Sequence, residues 1–275
     1  MYIRKKILFL FPLVFSLSVL SSDIEEIIVK GEYREKSLGE EDSSIVVIQS
    51  EQIKSEPIKH FQQLSYLVPN LNYAASDSRA RYFQIRGIGE RSGYQGTPNS
   101  SVGFLIDDID YSGQGGIATL FDVDQVEVFR GPQGSRSGAN ALAGLIYIKT
   151  KDPTEKFEGT SELTLGDYGT QNIGIAFGGP MQNKKLKYRL VLRTDYADGF
   201  RKNIYLNKSD TSKKDELTLR YKLNWELNET TNLDFLVSKV DMDDPADIWT
   251  IDGSLNTLSD RPGMDSQNTN SYGIK

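Results

Sequence analysis

The residue types that most often perform catalysis or bind metals are scarce in this sequence. Cysteine is absent and His60 is the only histidine, so neither thiolate chemistry nor a disulfide framework is expected, and His60 is interpreted as a surface or packed side chain without a metal role. The acidic run at residues 241–244 lacks the ligand spacing and the glycine of a calcium loop, and a solvated outer loop is the better interpretation. Since no set of nucleophile, base and orienting group is recognisable, the sequence predicts a protein that is not an enzyme and has no cofactor.

A glycine-rich turn at residues 131–138 invites comparison with a phosphate-binding loop. Such a loop requires the pattern GxxxxGK[ST], and this turn, GPQGSRSG, has no lysine before a hydroxyl residue. Nucleotide binding is therefore not expected. The glycines are better explained by positive backbone φ angles and close backbone approach in a tightly wound domain.

Two polar loops are the candidates for ligand binding. Residues 90–101 and 111–116 are rich in Gly, Ser and Asn, and each contains one tyrosine. Loops of this composition on a strand scaffold commonly bind ligands, although they are also compatible with ordinary turns. Arg91, Tyr94 and Tyr111 are the predicted ligand contacts.

The amino-terminal segment indicates export. Residues 1–22 contain three early basic residues, an apolar run and two final serines, which is the pattern of a secretory signal peptide. The alternative is an uncleaved membrane anchor, but the apolar run is short for a transmembrane helix. The net charge of -6 and the pI near 5.1 argue against a nucleic-acid partner.

Residues 23–42 follow as a short β-branched run and a polar segment. Ile27, Ile28 and Val29 lie between an acidic pair and Gly31, which suits a strand that stays unpaired until a partner supplies a neighbouring strand. The alternative is an ordinary first strand. The charged residues up to position 42 predict a flexible tether.

The next part of the chain predicts a compact domain. A strand is expected at residues 44–48, and Ser50 is expected to cap a helical stretch that Pro57 divides and Pro69 ends. Further strands are indicated by apolar runs between glycine-rich turns, at residues 81–88, 102–108, 126–129 and 145–148.

Three of these segments resemble, in order and spacing, the signature of the plug domain of TonB-dependent outer-membrane receptors. They are FQIRGIG at residues 83–89, VGFLIDD at 102–108 and VEVFRGPQG through LAGLIYIKT at 126–150. The resemblance implies a plug at residues 43–153 and a TonB-binding strand at Ile27, Ile28 and Val29. It also implies that Arg86 and Arg130 face carboxylates of a barrel wall and so lock the plug, with Glu127 and Asp124 as candidate partners inside the plug.

Beyond Pro153 the pattern changes to long strands in which apolar and polar residues alternate. Five strands are expected, and their length, alternation and terminal aromatic residues are typical of outer-membrane barrel strands. Turning one strand over would place charges against lipid at about 2 to 4 kcal/mol each near the midplane. A soluble β-sandwich gives a similar pattern. The long connections are expected on the outer side and the short turns on the periplasmic side.

The predicted fold is therefore mainly β, with a small α+β plug domain and the start of a transmembrane antiparallel β-barrel that is incomplete. A plugged transporter barrel has about 22 strands. Residues 154–275 hold only the first of them, and no apolar strand is recognisable near the carboxyl terminus. We expect the chain to be the amino-terminal part of a longer receptor.

The resemblance implies a receptor of the cell outer membrane that imports an iron–siderophore complex. Its expected partners are TonB, outer-membrane lipid and a siderophore-type small molecule. One alternative within the family is an importer of vitamin B12, a glycan or another nutrient. A second alternative, from another class, is a secreted β-rich adhesion or carbohydrate-binding module that would be soluble without detergent.

Overall fold

The computed structural model describes residues 26–32, 34–56, 58–75, 78–93, 99–181, 184–250 and 252–275. The predicted signal peptide at residues 1–22 and the predicted ligand contact Tyr94 lie outside these residues. The described chain is mainly β, and its two largest sheets are separate along the sequence. No helix in this part of the chain is long and apolar enough to cross a membrane.

The chain begins with a small hairpin. Strand β1, Ile28–Val29, pairs antiparallel with strand β2, Lys36–Ser37, and a short 3-10 turn, Leu38–Glu40, follows. The prediction that β1 stays unpaired is therefore wrong for this state of the protein, and the predicted tether contains β2. The physical reason is burial, since Val29 is fully buried against the next domain.

Residues 45–150 form the next unit, which we call the inner domain. Its five-stranded sheet has the order β3-β8-β9-β6-β7, in which only the β9–β6 pair is parallel. A β4–β5 hairpin and short helical segments complete it. The elements are β3 Ile45–Gln49, α1 Ser50–Ser55, a 3-10 helix Phe61–Leu67, β4 Leu71–Ala74, β5 Tyr82–Ile85, β6 Val102–Ile106, β7 Ile109–Asp110, a 3-10 turn Gly115–Ile117, β8 Val123–Phe129, α2 Gly134–Ser137 and β9 Gly144–Thr150.

The two faces of this sheet bury different clusters. One face packs against the helical segments, where the rings of Phe61, Phe83 and Phe104 meet at centroid distances of 5.2 to 5.4 Å. The other face buries Phe129 and Leu145 under the amino-terminal hairpin. Burial of this apolar surface is the main term that stabilises the inner domain.

The predicted helical stretch is divided as expected, with two differences. Helix α1 ends at Ser55, and Glu56 is extended, as residues before proline usually are. Gln49 is the residue before the helix, and Ser50 is its first residue and makes no cap. The second part is a 3-10 helix whose first turn is closed by a reciprocal cap between His60 and Gln63.

The second large sheet consists of six antiparallel strands, which we call the wall. Each strand pairs with the next one along the chain, and the two short strands β13 and β16 pair with each other in the connecting loops. The six wall strands are β10 Glu158–Leu165, β11 Gln171–Pro180, β12 Leu186–Ala197, β14 Lys214–Asn228, β15 Thr231–Ala246 and β17 Gly263–Ile274. The two loop strands are β13 Lys202–Asn203 and β16 Asn256–Thr257.

The wall has one strand more than predicted. Strand β17 has the sequence GMDSQNTNSYGI, in which apolar side chains are too few to show alternation, and it was therefore missed. Within the described residues, β10 and β17 each pair with one wall strand only, so the sheet is not closed. This agrees with the prediction of an incomplete barrel.

The connections and faces of the wall follow the predicted pattern, except that the acidic run at residues 241–244, predicted as a solvated outer loop, lies within β15, where Asp244 is buried and pairs with Lys214. The turn between β14 and β15 is short, and the connections from β12 to β14 and from β15 to β17 are long and lie at the opposite end. The side chains that face the inner domain are mainly polar. Those that face outward on β12 and β14 are mainly apolar: Leu186, Tyr188, Leu190, Leu192, Leu217, Leu219, Tyr221, Leu223, Trp225 and Leu227.

Candidate functional site

Strand β1 is fixed to the inner domain by hydrogen bonds from both its main chain and a side chain. The backbone N–H groups of Lys30 and Gly31 donate to the two carboxylate oxygens of Glu127, at 2.6 and 2.8 Å. Gln125 donates from Nε2 to the carbonyl oxygen of Ile28 at 2.9 Å, and the Lys30 ammonium lies 2.6 Å from Asp124. We call these contacts between residues 28–31 and strand β8 the latch.

Burial strengthens the latch. Val29 has no exposed surface and belongs to the cluster that contains Phe129, Leu145 and Tyr147. Glu127 is also fully buried and accepts from Gln125 as well, so that losing the two backbone donors would remove two of the hydrogen bonds that stabilise its charge in a low-dielectric site. Releasing β1 to a partner therefore requires breaking both apolar and charged contacts.

The predicted locking residues lie in different surroundings. Glu127 serves the latch and lies away from the wall. Arg86 is exposed at a backbone φ of 53°, and Arg130 is half-buried with an Nε that has no hydrogen-bond partner. Neither arginine forms an ion pair with a carboxylate in the described part of the chain, and their pairing with wall carboxylates stays a prediction.

Other ion pairs join the inner domain to the wall. The guanidinium of Arg189 contacts both carboxylate oxygens of Asp122, at 2.5 and 2.7 Å, and both side chains are almost fully buried. Lys222 donates to Asp107 at 2.9 Å and to Asp152 at 3.0 Å. At this level the wall supplies the cations and the inner domain supplies the carboxylates.

Towards the end of the wall that carries the long loops, the arrangement is reversed: the inner domain supplies the cations and the wall supplies the carboxylates. Arg79 of the inner domain donates from Nε to Glu216 at 2.7 Å and lies 3.8 Å from Asp244, and Arg81 pairs with Asp265. A carboxylate or guanidinium moved to the other level would meet like charges. The two levels therefore fix the position of the inner domain along the wall.

The sequence alone does not identify these ion pairs, although it does show which wall residues lie on the polar face. The alternation of residues in β12 and β14 places Arg189, Glu216 and Lys222 on the polar face. Which residues the two sides bring together depends on contacts separated by up to 184 residues, for which a single sequence carries no pattern.

Of the three predicted ligand contacts, the structure describes Arg91 and Tyr111, and they lie in different surroundings. Arg91 is exposed. Tyr111 is only 5% exposed, and its hydroxyl faces Ser238 and Ser271, so it lies under the wall; its role as a ligand contact stays a prediction. Its ring fills the space between the inner domain and the wall, and burial raises the pKa of its hydroxyl.

The two long loops of the wall form one unit. Asn203 donates to Asp247 at 2.9 Å and to the carbonyl oxygen of Ser259 at 2.8 Å, and the Thr257 hydroxyl donates to Asp247 at 2.5 Å. The side chains of Asn203, Thr257 and Asp247 itself are all buried. The sequence predicted long polar loops here, but not that they are held to each other.

His60 is a structural residue. Its Nε2 lies 2.8 Å from the carbonyl oxygen of Gly116, and its Nδ1 accepts a hydrogen bond from the backbone of Gln62. Burial, reinforced by the nearby Arg79, holds the pKa of His60 well below its usual value of 6.5. Among the described residues no group of three or more acidic or histidine side chains could hold a metal ion.

This depressed pKa predicts a stability that falls as the pH is lowered. Below pH 6.5 the unfolded chain binds a proton at His60 that the folded chain does not bind, so unfolding is favoured there. Between pH 7.5 and 5.5 the group should remove about 1.4 kcal/mol of unfolding free energy. Unfolding curves of wild type and His60→Gln should therefore converge as the pH falls, and equal pH slopes would contradict this.

The comparisons with known proteins agree on the nature of the inner domain. Residues 37–145 match the family model described as TonB-dependent Receptor Plug Domain. The chain is 26% identical over 157 residues to the pesticin receptor of Yersinia pestis, a match that covers 57% of this chain and 23% of that protein. It is 25% identical over 158 residues to the vitamin B12 transporter BtuB of Vibrio vulnificus, covering 53% and 26% of the two chains.

Solved structures share the fold. The ferripyoverdine receptor of the Pseudomonas aeruginosa outer membrane superimposes with a TM-score of 0.68 at 19% identity, covering 89% of this chain and 33% of that chain. The ferric yersiniabactin uptake receptor FyuA of Yersinia pestis gives 0.65 at 22% identity, covering 74% and 32%. The chain thus spans about a quarter of the curated relatives and about a third of these structures.

Proposed function

We propose that this chain belongs to a TonB-dependent receptor of the outer membrane, which imports a nutrient with energy supplied by TonB, because residues 37–145 match the plug-domain family model. The observation that carries the proposal is the arrangement of the two sheets. A plug domain is fixed by buried ion pairs to the polar face of a wall whose other face is apolar.

The position of the outward apolar residues supports a wall that crosses a membrane. On β10 they are Leu163 and Leu165, level with positions 217 and 215 of β14. On β17 they are Tyr272 and Ile274, level with positions 221 and 223, apart from Met264 at the end of β17 beside the long loops. The centre of the apolar belt therefore moves by six residues, from 216 to 222, over five strand steps. Strands about 4.8 Å apart and tilted about 40° from the membrane normal would shift a horizontal belt by about six residues.

The latch supports TonB as the partner. Strand β1 is short, Gly31 follows two residues after it, and its backbone makes hydrogen bonds, which is the kind of segment that a partner can take up by adding a strand. An outer membrane has no ATP at hand, so the energy for import must arrive through a partner that spans the periplasm. Ile27, Ile28 and Val29 are the proposed pairing residues.

The proposed cargo is an iron–siderophore complex. Two of the relatives are named as receptors for pesticin and ferripyoverdine, and one of the similar structures is an uptake receptor for ferric yersiniabactin. Vitamin B12 is the second candidate, because the Vibrio vulnificus relative is named as its transporter.

Two measurements on the full-length protein test this proposal. In the first, the periplasmic domain of TonB should be captured by the wild type and by Ile28→Leu, but not by Ile28→Pro, because proline removes a backbone donor of the added strand. Equal capture by Ile28→Pro would refute the role of β1. In the second, cells that lack the gene should lose uptake of a radioactive iron–siderophore complex. If they lose uptake of labelled vitamin B12 instead, the proposed cargo is wrong, but the proposal of a TonB-dependent receptor stands.

A further inference from the structure

Arg220 differs from the other buried arginines of the wall. It lies on β14 facing the inner domain and is 6% exposed. Its Nη2 donates to the carbonyl oxygens of Phe121 and Asp122, at 3.1 and 3.4 Å. Within the described part of the chain it forms no ion pair, whereas Arg189 has Asp122 and Arg193 has carboxylates on two sides.

The nearest carboxylates are engaged elsewhere. Asp122 holds Arg189 through both of its oxygens. Asp107 accepts hydrogen bonds from the backbone and hydroxyl of Thr150 and from Lys222. Two backbone carbonyls are a weak counterpart for a desolvated guanidinium with five donors, so the charge of Arg220 is only partly compensated by its direct contacts.

A small cavity of about 20 Å³ adjoins this arginine between the inner domain and the wall. Its polar lining consists of Arg220, Asp107 and four hydroxyl side chains, and apolar side chains cover the remainder. Tyr111 and Thr119 come from the inner domain, and Thr218 and Ser238 come from the wall. The volume holds one water molecule or one ion of similar size, and excludes polyatomic anions such as phosphate.

We propose that this cavity binds a single monatomic anion of the size of chloride. The guanidinium of Arg220 supplies the positive charge, and the hydroxyl groups of Thr119 and Thr218 can turn a proton towards the ion. The carboxylate of Asp107, which would oppose an anion, is neutralised by Lys222 and by the two donors of Thr150. The surrounding apolar side chains keep the site in a low dielectric, where such an interaction is strong.

A bound anion would help to hold the inner domain against the wall. The lining of the cavity comes from both the inner domain and the wall, so a bound anion connects the two. Salt weakens ordinary ion pairs by screening. Chloride should instead add stability at constant ionic strength, because a ligand that binds only the assembled state stabilises that state.

The direct test is a crystal of the full-length protein soaked in bromide. An anomalous bromide peak is expected beside Arg220 in the wild type and in Arg193→Gln, the matched control, whose arginine is equally buried but has its own carboxylates. The peak should be lost in Arg220→Gln. A site filled by water in the presence of bromide would overturn the proposal.

A solution measurement keeps the test decisive if Arg220→Gln folds poorly. Thr218→Val removes one hydroxyl from the cavity at almost unchanged shape and leaves the arginine in place. With gluconate holding the ionic strength constant, replacing it by chloride should raise the melting temperature of the wild type by a few degrees and that of Thr218→Val by less. Equal melting temperatures of the wild type in the two salts would refute chloride binding at this site.

Discussion

Asp122→Asn is expected to lower the free energy of unfolding of the inner domain by about 3 to 5 kcal/mol, because it removes the buried bidentate carboxylate of Arg189 and leaves that guanidinium only the half-exposed Glu158 at 3.5 Å. The substitution is nearly isosteric, and asparagine tolerates the backbone φ of 60° found at this position. The loss would therefore report the ion pair and not a change of shape. Thermal unfolding of the full-length protein, followed by a probe attached to the inner domain, measures it.

Asp124→Asn is the matched control. Asp124 lies two residues further along the same chain segment, but its ion pair with Lys30 is about one-third exposed. Partly exposed pairs are screened by water, so the expected loss is within about 1 kcal/mol. Equal losses in the two variants would show that burial does not distinguish them. Restoration of stability in Asp122→Asn combined with Arg189→Met would confirm that the unpaired guanidinium is the cause.

Local patterns in the sequence predicted much of the fold. Strand β8, the glycine-rich turn after it and β9 follow from apolar runs separated by glycine and proline. The outward face of β12 and β14 follows from strict alternation, because a slip of one residue would place several charges on the apolar side. Strand β17 was missed since the outward positions in its middle are Ser266, Asn268 and Asn270, which interrupt the apolar alternation.

The candidate sites could be predicted only in part, since they are made by contacts between distant residues. The β-branched run that includes Val29 was visible, but its burial against Phe129 and Leu145 depends on the assembled sheet. Likewise, the arginine at position 189 was assigned to the polar face, but its partner Asp122 belongs to another domain. Tyr111 was predicted as a ligand contact because its loop is rich in polar residues, and the wall that covers it could not be inferred from that composition.

Gly31→Ala is expected to open the latch. A methyl group at Gly31 would lie 2.5 Å from a carboxylate oxygen of Glu127 and 2.6 Å from the ring of Phe129, both of which are fully buried and cannot move away freely. The backbone of Gly31 itself is not in the left-handed region, so the strain falls on the packed contacts. Overpacking of this kind costs about 1 to 3 kcal/mol.

Strain in the latched state should appear as a gain in partner binding. If the proposed partner TonB binds only when β1 is released, then the apparent affinity is the intrinsic affinity multiplied by the small fraction of molecules in which β1 is released. Destabilising the latch by about 1 to 3 kcal/mol would raise that affinity by about 5- to 150-fold. Titration of the periplasmic TonB domain against the full-length protein, without cargo, measures the change.

Gly39→Ala separates this mechanism from a general effect of alanine in the amino-terminal segment. The nearest atom to a methyl group at Gly39 is the Ser37 hydroxyl oxygen at 3.8 Å, so no strain is expected there and TonB affinity should stay at the wild-type value. A gain at Gly31 alone would mean that the buried contacts of Glu127 and Phe129 limit the release of β1. An unchanged affinity in both variants would mean that the latch opens too readily to limit binding, and the energy barrier to import would then lie in the ion pairs between the inner domain and the wall.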